Sequence, residues 1–580
     1  MKFERVANDT VAFFSTEETL AVSFSLQEEC DGIATYRIAF DWATEGVPQP
    51  VKMKLIHPCI DIHSHWTPVW RRAPFIPWHG CKSFESRLGS WMPLGQFCSK
   101  SGENRLTLAL ADVKTPIKIA NSVTLPGFNV ETVFTFFTGT VAPLSHYETV
   151  LRIDLRTVAG CEAIQSAMDW YGRLGYCNRE VPDGAFDAVY STWYSYMQDV
   201  KAEDILKECR LAKKMGMDTL ILDDGWQNEG IVRDYATCGD WKPAPNRFPD
   251  MRRFAEAVHQ LGMKMMLWFS VPFVGWESES YERFEGKYLF EYEKMRCSVL
   301  DPRYPEVRQF LIDTYIHAVE MWGMDGLKLD FIDRFKSNGI VSPEMDHYSV
   351  EDAVETLLRE ITAALKKIRN DILIEFRQPY IGPVISTYGN MIRVWDCPED
   401  AMSNRMAIAD LRLLCGGNAV HSDMVIWQKE EPIQSVATHL YSTLFAVPQI
   451  SVRMAELSKE HRQVLKAFLA FRNQHRELLM KGIFTVRGIE NNASYTESVL
   501  EDRRIAVFTT TPLIRLEEQF KENIAINLSG ADEVFIATAT DTVKYEVFDC
   551  TGKRLCRLKT LRRNDRLVKV PHAGMIRFIR

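Results

Sequence analysis

Three patterns of hydrophobic and polar positions follow one another along this chain. Over about the first 165 residues they alternate in short runs: LAVSFSL (Leu20 to Leu26), ATYRIAFDW (Ala34 to Trp42), RLTLALAD (Arg105 to Asp112) and YETVLRIDL (Tyr147 to Leu155). A period of two, bounded by turn residues, marks a strand with one buried face. No amphipathic helical stripe of useful length interrupts these runs, so an N-terminal antiparallel β-sandwich is predicted.

From about Phe186 the pattern becomes strand, helix, strand, helix. Eight apolar runs recur: FDAVYSTW (Phe186 to Trp193), DTLILDD (Asp218 to Asp224), KMMLWFS (Lys264 to Ser270), GLKLDF (Gly326 to Phe331), ILIEFR (Ile372 to Arg377), MIRVWD (Met391 to Asp396), NAVHSDM (Asn418 to Met424) and PQISV (Pro448 to Val452). Continuous apolar runs mark strands covered on both faces. Between them lie helical periods. Met251, Phe254, Ala255, Val258 and Leu261 share one face ahead of Gly262. A second helix opens at Pro305 and ends before Gly323. A third carries Val354, Leu357, Leu358, Ile361, Leu365 and Ile368 behind a Ser349-x-x-Asp352 cap. Eight strands alternating with helices predict a (β/α)8 TIM barrel. A doubly wound open sheet would need a glycine-rich phosphate loop after its first strand, and the sequence has none.

After a helix over roughly Lys459 to Lys481, strands return in RRIAVFTT (Arg503 to Thr510), YEVFD (Tyr545 to Asp549) and RLVKV (Arg566 to Val570). They predict a small C-terminal antiparallel β-sandwich. The expected division is 1–170, 171–482 and 483–580.

Composition narrows the function. A chain of 580 residues is too long for one core. A formal net charge of -8 disfavours nucleic acid and anionic membrane as partners. No apolar stretch approaches the roughly 20 residues of a membrane span, and the start, MKFERVANDT, has no signal core. Thirteen scattered cysteines without a CxxC pair favour free thiols, hence a cytoplasmic protein. Fourteen tryptophans suit a sugar binder and a large core alike.

The chemistry gathers at strand ends. Six of the eight predicted strands finish in polar or charged groups, and a barrel brings those ends to one mouth. The second ends Asp223-Asp224-Gly225-Trp226, the fourth Lys328-Leu329-Asp330, the fifth Glu375-Phe376-Arg377. The sixth runs Arg393-Val394-Trp395-Asp396 with Asp400 beyond, the seventh His421-Ser422-Asp423, and the first offers Trp193 and Tyr194. Lys328 and Asp330 alternate by two, so both point the same way. The cation favours an ionised Asp330, as a nucleophile requires. Asp396 is the natural second carboxyl, acting as acid and base; Asp400 is its rival, or instead opens the helix after the sixth strand. Asp223 and Asp224 suit paired hydrogen bonds to sugar hydroxyls, although one of them could cap a helix. His63 and His65 alternate but lack a third ligand, so no metal is expected, and a surface or sugar-contacting pair is the preferred reading.

LDDGWQ followed by K-x-D on a later strand resembles the clan D glycoside hydrolases, and in particular the family 36 α-galactosidases. GDW (Gly239 to Trp241), RFP (Arg247 to Pro249) and GMKMMLW (Gly262 to Trp268) are similar to family 36 in order and spacing. IEFRQPY resembles a family 27 segment whose Glu recognises the 2-hydroxyl, here Glu375, and HSDM resembles the last conserved segment through Asp423 and Met424. The family's C-S-G-G-G after the fifth strand and E-P-E after the third are absent, which marks a divergent branch. The resemblance implies an exo-acting, retaining α-galactosidase without cofactor. In it Asp330 is nucleophile and Asp396 acid/base. Asp223, Asp224, Trp226, Trp268, Lys328, Glu375, Arg393, Asp423 and Trp193 bind the sugar. A raffinose-synthase-like transferase, a β-L-arabinopyranosidase, an α-N-acetylgalactosaminidase and a non-catalytic carbohydrate-binding barrel are the alternatives. It also implies a glycoside or oligosaccharide substrate and a homo-oligomer. The tryptophans of an apolar N-terminal stretch, Trp66, Trp70, Trp78 and Trp91, either complete the pocket or belong to the sandwich core.

Overall fold

The computed structural model describes residues 2–6, 9–15, 20–69, 82–125, 127–176, 180–231, 234–517, 519–562 and 566–579. Trp70 and Trp78 lie outside the described residues. The N-terminal region is two six-stranded sheets. The strands expected from alternation are all there, for example Ile33–Gly46 paired antiparallel with Leu144–Asp154. Their inward aromatics, Phe13, Phe24, Phe40, Phe134 and Phe136, fill a separate core.

The centre is a closed barrel of eight parallel strands: Val189–Ser191, Thr219–Leu222, Lys264–Ser270, Gly326–Asp330, Leu373–Arg377, Met391–Arg393, Ala419–Val425 and Val447–Ile450. Each falls within or overlaps one of the eight apolar runs. The helices follow the expected periods. Met251–Gln260 is capped by Asp250. Pro305–Trp322 carries Pro in its first turn and stops at Gly323. Val350–Ile368 has the Ser349 hydroxyl accepting the Asp352 N–H. The single helix expected over Lys459 to Lys481 is two, Lys459–Gln474 and Arg476–Lys481, broken at His475. The helix Gly160–Arg173 crosses residue 170 and packs on both the strand Asn104–Leu110 and the barrel helix Ala401–Leu414.

Inside the barrel, residues of one parity sit in stacked layers. Val189, Ile221, Met266, Leu373, Met391, Ala419 and Val447 form an apolar floor, plugged by Ala185 and Phe186. The fourth strand contributes Gly326 at that level, where a Cβ would stand 2.5 Å from the Leu373 carbonyl oxygen. Two residues further along, the layer turns polar on seven of the eight strands, with Ser191, Asp223, Lys328, Glu375, Arg393, His421 and Gln449, all buried, while the third strand places Trp268 there. The pleat therefore places polar groups above an apolar floor, toward the C-terminal mouth.

The C-terminal region has a seven-stranded and a three-stranded sheet. Most pairs are antiparallel; Arg503–Phe508 with Glu522–Asn527, and Leu513–Leu516 with Glu533–Thr538, are parallel.

Candidate active site

Asp330 ends the fourth strand and is buried. Arg377 Nε donates to its Oδ1 at 2.5 Å, Trp268 Nε1 to its Oδ2 at 3.1 Å, and the Phe331 N–H to Oδ1 at 2.8 Å. Burial opposes its charge, but Arg377, Lys328 and Arg393 outweigh burial and hold the carboxyl well below the ordinary range. Lys328 Nζ turns to Asp223, 2.6 Å from Oδ2. The N–H of Asp223 donates to the Thr192 hydroxyl at 3.0 Å.

Asp224 is held differently. The side-chain amides of Gln198 and Gln227 donate to its two oxygens, each at 2.7 Å. Burial pushes it up to about 6, against those hydrogen bonds and helped by the charge of Asp223. Gly225, with φ 113°, makes this tight packing feasible: a Cβ there would lie 2.6 Å from the Gln198 Cα.

Across the mouth, Arg393 Nη1 bridges Asp396 Oδ1 at 2.8 Å and Asp423 Oδ1 at 2.6 Å. Asp423 is fully buried and also accepts from the Tyr194 hydroxyl at 3.0 Å and the Cys397 N–H at 2.6 Å. Its burial, with Asp396 nearby and Arg393 opposing, raises it to about 6. The Asp396 side chain is 49% exposed. Desolvation of its carboxyl is outweighed by Arg393 and Arg377, which keep it ionised. Asp400, the rival, caps the helix Ala401–Leu414: its oxygens accept from the Ser403 N–H at 2.9 Å and the Ser403 hydroxyl at 2.5 Å. The geometry therefore sends Asp396 to the mouth and Asp400 to the helix.

Glu375 lies one layer deeper. Gln449 Nε2 donates to its Oε2 at 2.5 Å, and Arg393 Nε is 3.8 Å from Oε1. Burial pushes it up to about 7, with Lys328 and Arg393 opposing. Gln449 also faces His421 Nδ1 at 3.3 Å, while His421 Nε2 donates to the Ala185 carbonyl at 2.8 Å. Burial lowers His421 to about 3, so the ring is neutral and its tautomer is set by that carbonyl.

Of the expected tryptophans, Trp268 touches Asp330 and Trp193 stands half-buried at the end of the first strand. Trp226 does not line the mouth. Its Nε1 donates to the Trp268 carbonyl at 3.0 Å, and its ring packs on Trp241, Phe269 and Trp322. The positive φ at Gly225 takes Trp226 off the strand's alternation and into the layer between barrel wall and helix. Trp66 is also core, donating to Asp410 Oδ1 at 3.0 Å. The segment around Trp91 does reach the mouth: Arg87 donates to the carbonyls of Asp333 and Phe335, both at 2.6 Å, and the Trp91 N–H to that of Pro379 at 2.8 Å. His63 is exposed, whereas His65 is buried and stacks on Phe97, so the two do not form one surface pair.

Sequence reasoning left Arg377, Gln449, Gln198 and Gln227 out of the site. The first two carried a signal: Arg377 is two residues beyond Glu375, and Gln449 interrupts an apolar run. The two loop glutamines carried none. A cavity of about 1290 Å³ opens elsewhere, beside Glu162, Asp183 and Arg412. It contains none of the strand-end carboxylates, so convergent charge rather than volume picks the mouth.

The fold is thus a closed (β/α)8 barrel with a charged mouth, flanked by β-sheet regions. Solved structures share it: an α-galactosidase from Lactobacillus brevis superposes with TM-score 0.66 at 16% identity, covering 99% of this chain and 84% of that one. The family 36 α-galactosidase AgaA of Geobacillus stearothermophilus, bound to 1-deoxygalactonojirimycin, gives 0.65 at 16%, covering 99% and 83%. The chain belongs to the melibiase family, whose model matches residues 183–482. An α-galactosidase of Lactobacillus acidophilus is 28% identical over 146 residues, 24% of this chain and 19% of that protein. The A type blood α-D-galactosamine galactosaminidase of Flavonifractor plautii is 24% identical over 217 residues, 34% and 19%. The match thus spans about a fifth of these curated relatives. Among the described residues no helix is long and apolar enough to cross a membrane.

Proposed function

We propose that this chain is an exo-acting, retaining α-galactosidase working by double displacement. The observation that carries the reading is Asp330: a carboxylate at a barrel strand end, kept ionised by Arg377, Lys328 and Arg393, with Asp396 across Arg393. Asp330 attacks the anomeric carbon and forms an ester as the bond to the aglycone oxygen breaks. That oxygen takes the proton of Asp396. Asp396, now ionised, deprotonates a water that opens the ester and returns Asp330 as carboxylate. A sugar seated over Asp396 strips water from it and favours its protonated form in the first step. Lys328, Asp223 and Asp224 hold the 4- and 6-hydroxyls; Glu375 and Arg393 hold the 2-position, with Asp423 fixing Arg393. Trp268 and Trp193 line the sugar.

Solved relatives bind raffinose and stachyose, and terminal α-galactosides of that kind are the proposed substrates. Cysteines outside any disulfide, such as Cys209, Cys238 and Cys297, suit a reducing, cytoplasmic setting. A second reading, a 2-amino sugar at the same site, is raised by the galactosaminidase relative.

The test is hydrolysis of p-nitrophenyl α-D-galactopyranoside by the chain and by Asp330→Ala, with azide added to Asp396→Ala. Activity lost at Asp330 and an α-galactosyl azide, formed by azide opening the Asp330 ester, from the Asp396 variant are the expected results. An Asp330→Ala protein that retains turnover refutes the assignment.

A further inference from the structure

Arg377 is the cation in the mouth to which the mechanism assigns no contact with the sugar. It is firmly held. Its Nε donates to Asp330 at 2.5 Å and its Nη1 to the Gln378 carbonyl at 2.8 Å. Its planar group sits over Phe331, Trp395 and Tyr380, at 5.2, 5.6 and 5.8 Å from the ring centres. A guanidinium enclosed by three aromatic rings and bonded to a carboxylate cannot swing away when a ligand arrives.

Its place relative to the sugar follows from the proposed function, on which this inference rests. There, strands two and four grip the 4- and 6-hydroxyls through Asp223, Asp224 and Lys328, and carbon 1 stands at Asp330. Carbon 2 adjoins carbon 1 on the side away from carbons 4 and 6. That side is walled by strands five and six, which carry Glu375, Arg377 and Arg393.

We propose that Arg377 is a specificity-determining residue: fixed beside the nucleophile on the 2-position side, it admits a sugar with a neutral 2-hydroxyl and rejects one with a 2-ammonium group. Arg393, the second cation on that wall, adds to the rejection. Of the carboxyls that face the 2-position, Glu375 is already within 3.9 Å of Arg393 and His421 and bonded to Gln449, and Asp330 is already bonded to Arg377 itself. Like charges on the order of 6 Å apart, at an effective dielectric near 20, discriminate by roughly a hundredfold.

The experiment compares kcat/KM for p-nitrophenyl α-D-galactopyranoside and its 2-amino-2-deoxy analogue at about pH 6, where a sugar amine is protonated. It uses the full chain, Arg377→Gln and Arg377→Lys. The expected result is a preference of about a hundredfold or more for the galactoside in the unmutated chain. Arg377→Gln should narrow it at least about tenfold, and Arg377→Lys, which keeps the charge, should preserve most of it. Both variants should also turn over the galactoside more slowly, because Arg377 bonds to Asp330. Calorimetric binding of D-galactose and D-galactosamine to the same three proteins reads the same ratio without turnover. Comparable use of both sugars by the unmutated chain, or an unchanged ratio in Arg377→Gln, overturns the proposal. Turnover of neither glycoside, with galactose still bound in preference to galactosamine, sinks the hydrolase reading and leaves this inference standing. Binding of neither sugar overturns both.

Discussion

Glu351→Gln should stabilise this protein at alkaline pH and leave it unchanged in mild acid. Glu351 lies in the first turn of the helix Val350–Ile368, is 3% exposed, and its Oε2 meets no hydrogen-bond partner among the described residues. Burial, with repulsion from Glu85 and Asp352, pushes it up to about 7 from an ordinary 4.5, although Arg87 pulls the other way. At about 1.4 kcal/mol per tenfold, that difference is about 3 kcal/mol of stability. Because the folded value lies above the unfolded one, the contribution is complete below 4.5 and lost as pH rises through 7. Glutamine keeps the shape and cannot ionise. Thermal and urea unfolding of both proteins at about pH 4 and about pH 8 should therefore show a gain of about 3 kcal/mol at the higher pH and almost none at the lower. Arg87 retains its carbonyl partners on Asp333 and Phe335, so it is not orphaned by the change. Equal gains at both pH values, or a loss at the higher one, would show that the carboxylate is paired and the reasoning wrong.

Three further outcomes are expected. Asp400→Ala should cost about 1 kcal/mol as a lost helix cap while leaving turnover intact; a loss of turnover matching that of Asp396→Ala would reverse the assignment of the acid/base. Lys328→Met leaves the buried Asp223 carboxyl without its 2.6 Å partner, so stability should fall by roughly 3–5 kcal/mol, and adding Asp223→Asn should recover most of it if the lost ion pair is the cause. Trp66→Phe removes one buried hydrogen bond to Asp410; unfolding should register about 1 kcal/mol with KM unchanged, and a raised KM would return this indole to the pocket.

Periodicity alone located every barrel strand, because a parallel strand covered on both faces must be apolar almost throughout, and the acids closing those runs had nowhere to go but the mouth. That Lys328 and Asp330 share one face was equally legible from a spacing of two; that the ammonium bonds Asp223 while Arg377 bonds Asp330 was not. The same rule, carried to Glu375 and Arg377, points to the arginine that bonds to Asp330. Trp226 entered the site through the resemblance alone; in the fold it lies beyond the strand Thr219–Leu222, after Gly225 with its positive φ, and packs on Trp241, Phe269 and Trp322. In sequence Asp396 was the preferred second carboxyl and Asp400 its rival or the start of a helix; in the fold Asp400 caps Ala401–Leu414.

What the sequence determined by itself was order and parity: which segments are strands, which residues share a face, and which strand ends carry charge. Tertiary structure decided the partners. Closing the barrel brought Arg393 from the sixth strand between Asp396 and Asp423, and Gln449 from the eighth onto Glu375 of the fifth. It set the charge state of each acid, lowering Asp330 among three cations while raising Asp224, Glu375 and Asp423 by burial. Local pattern follows from the geometry of one chain segment. The energy of a buried charge depends on which groups stand within a few ångströms, and those arrive from strands far apart in sequence.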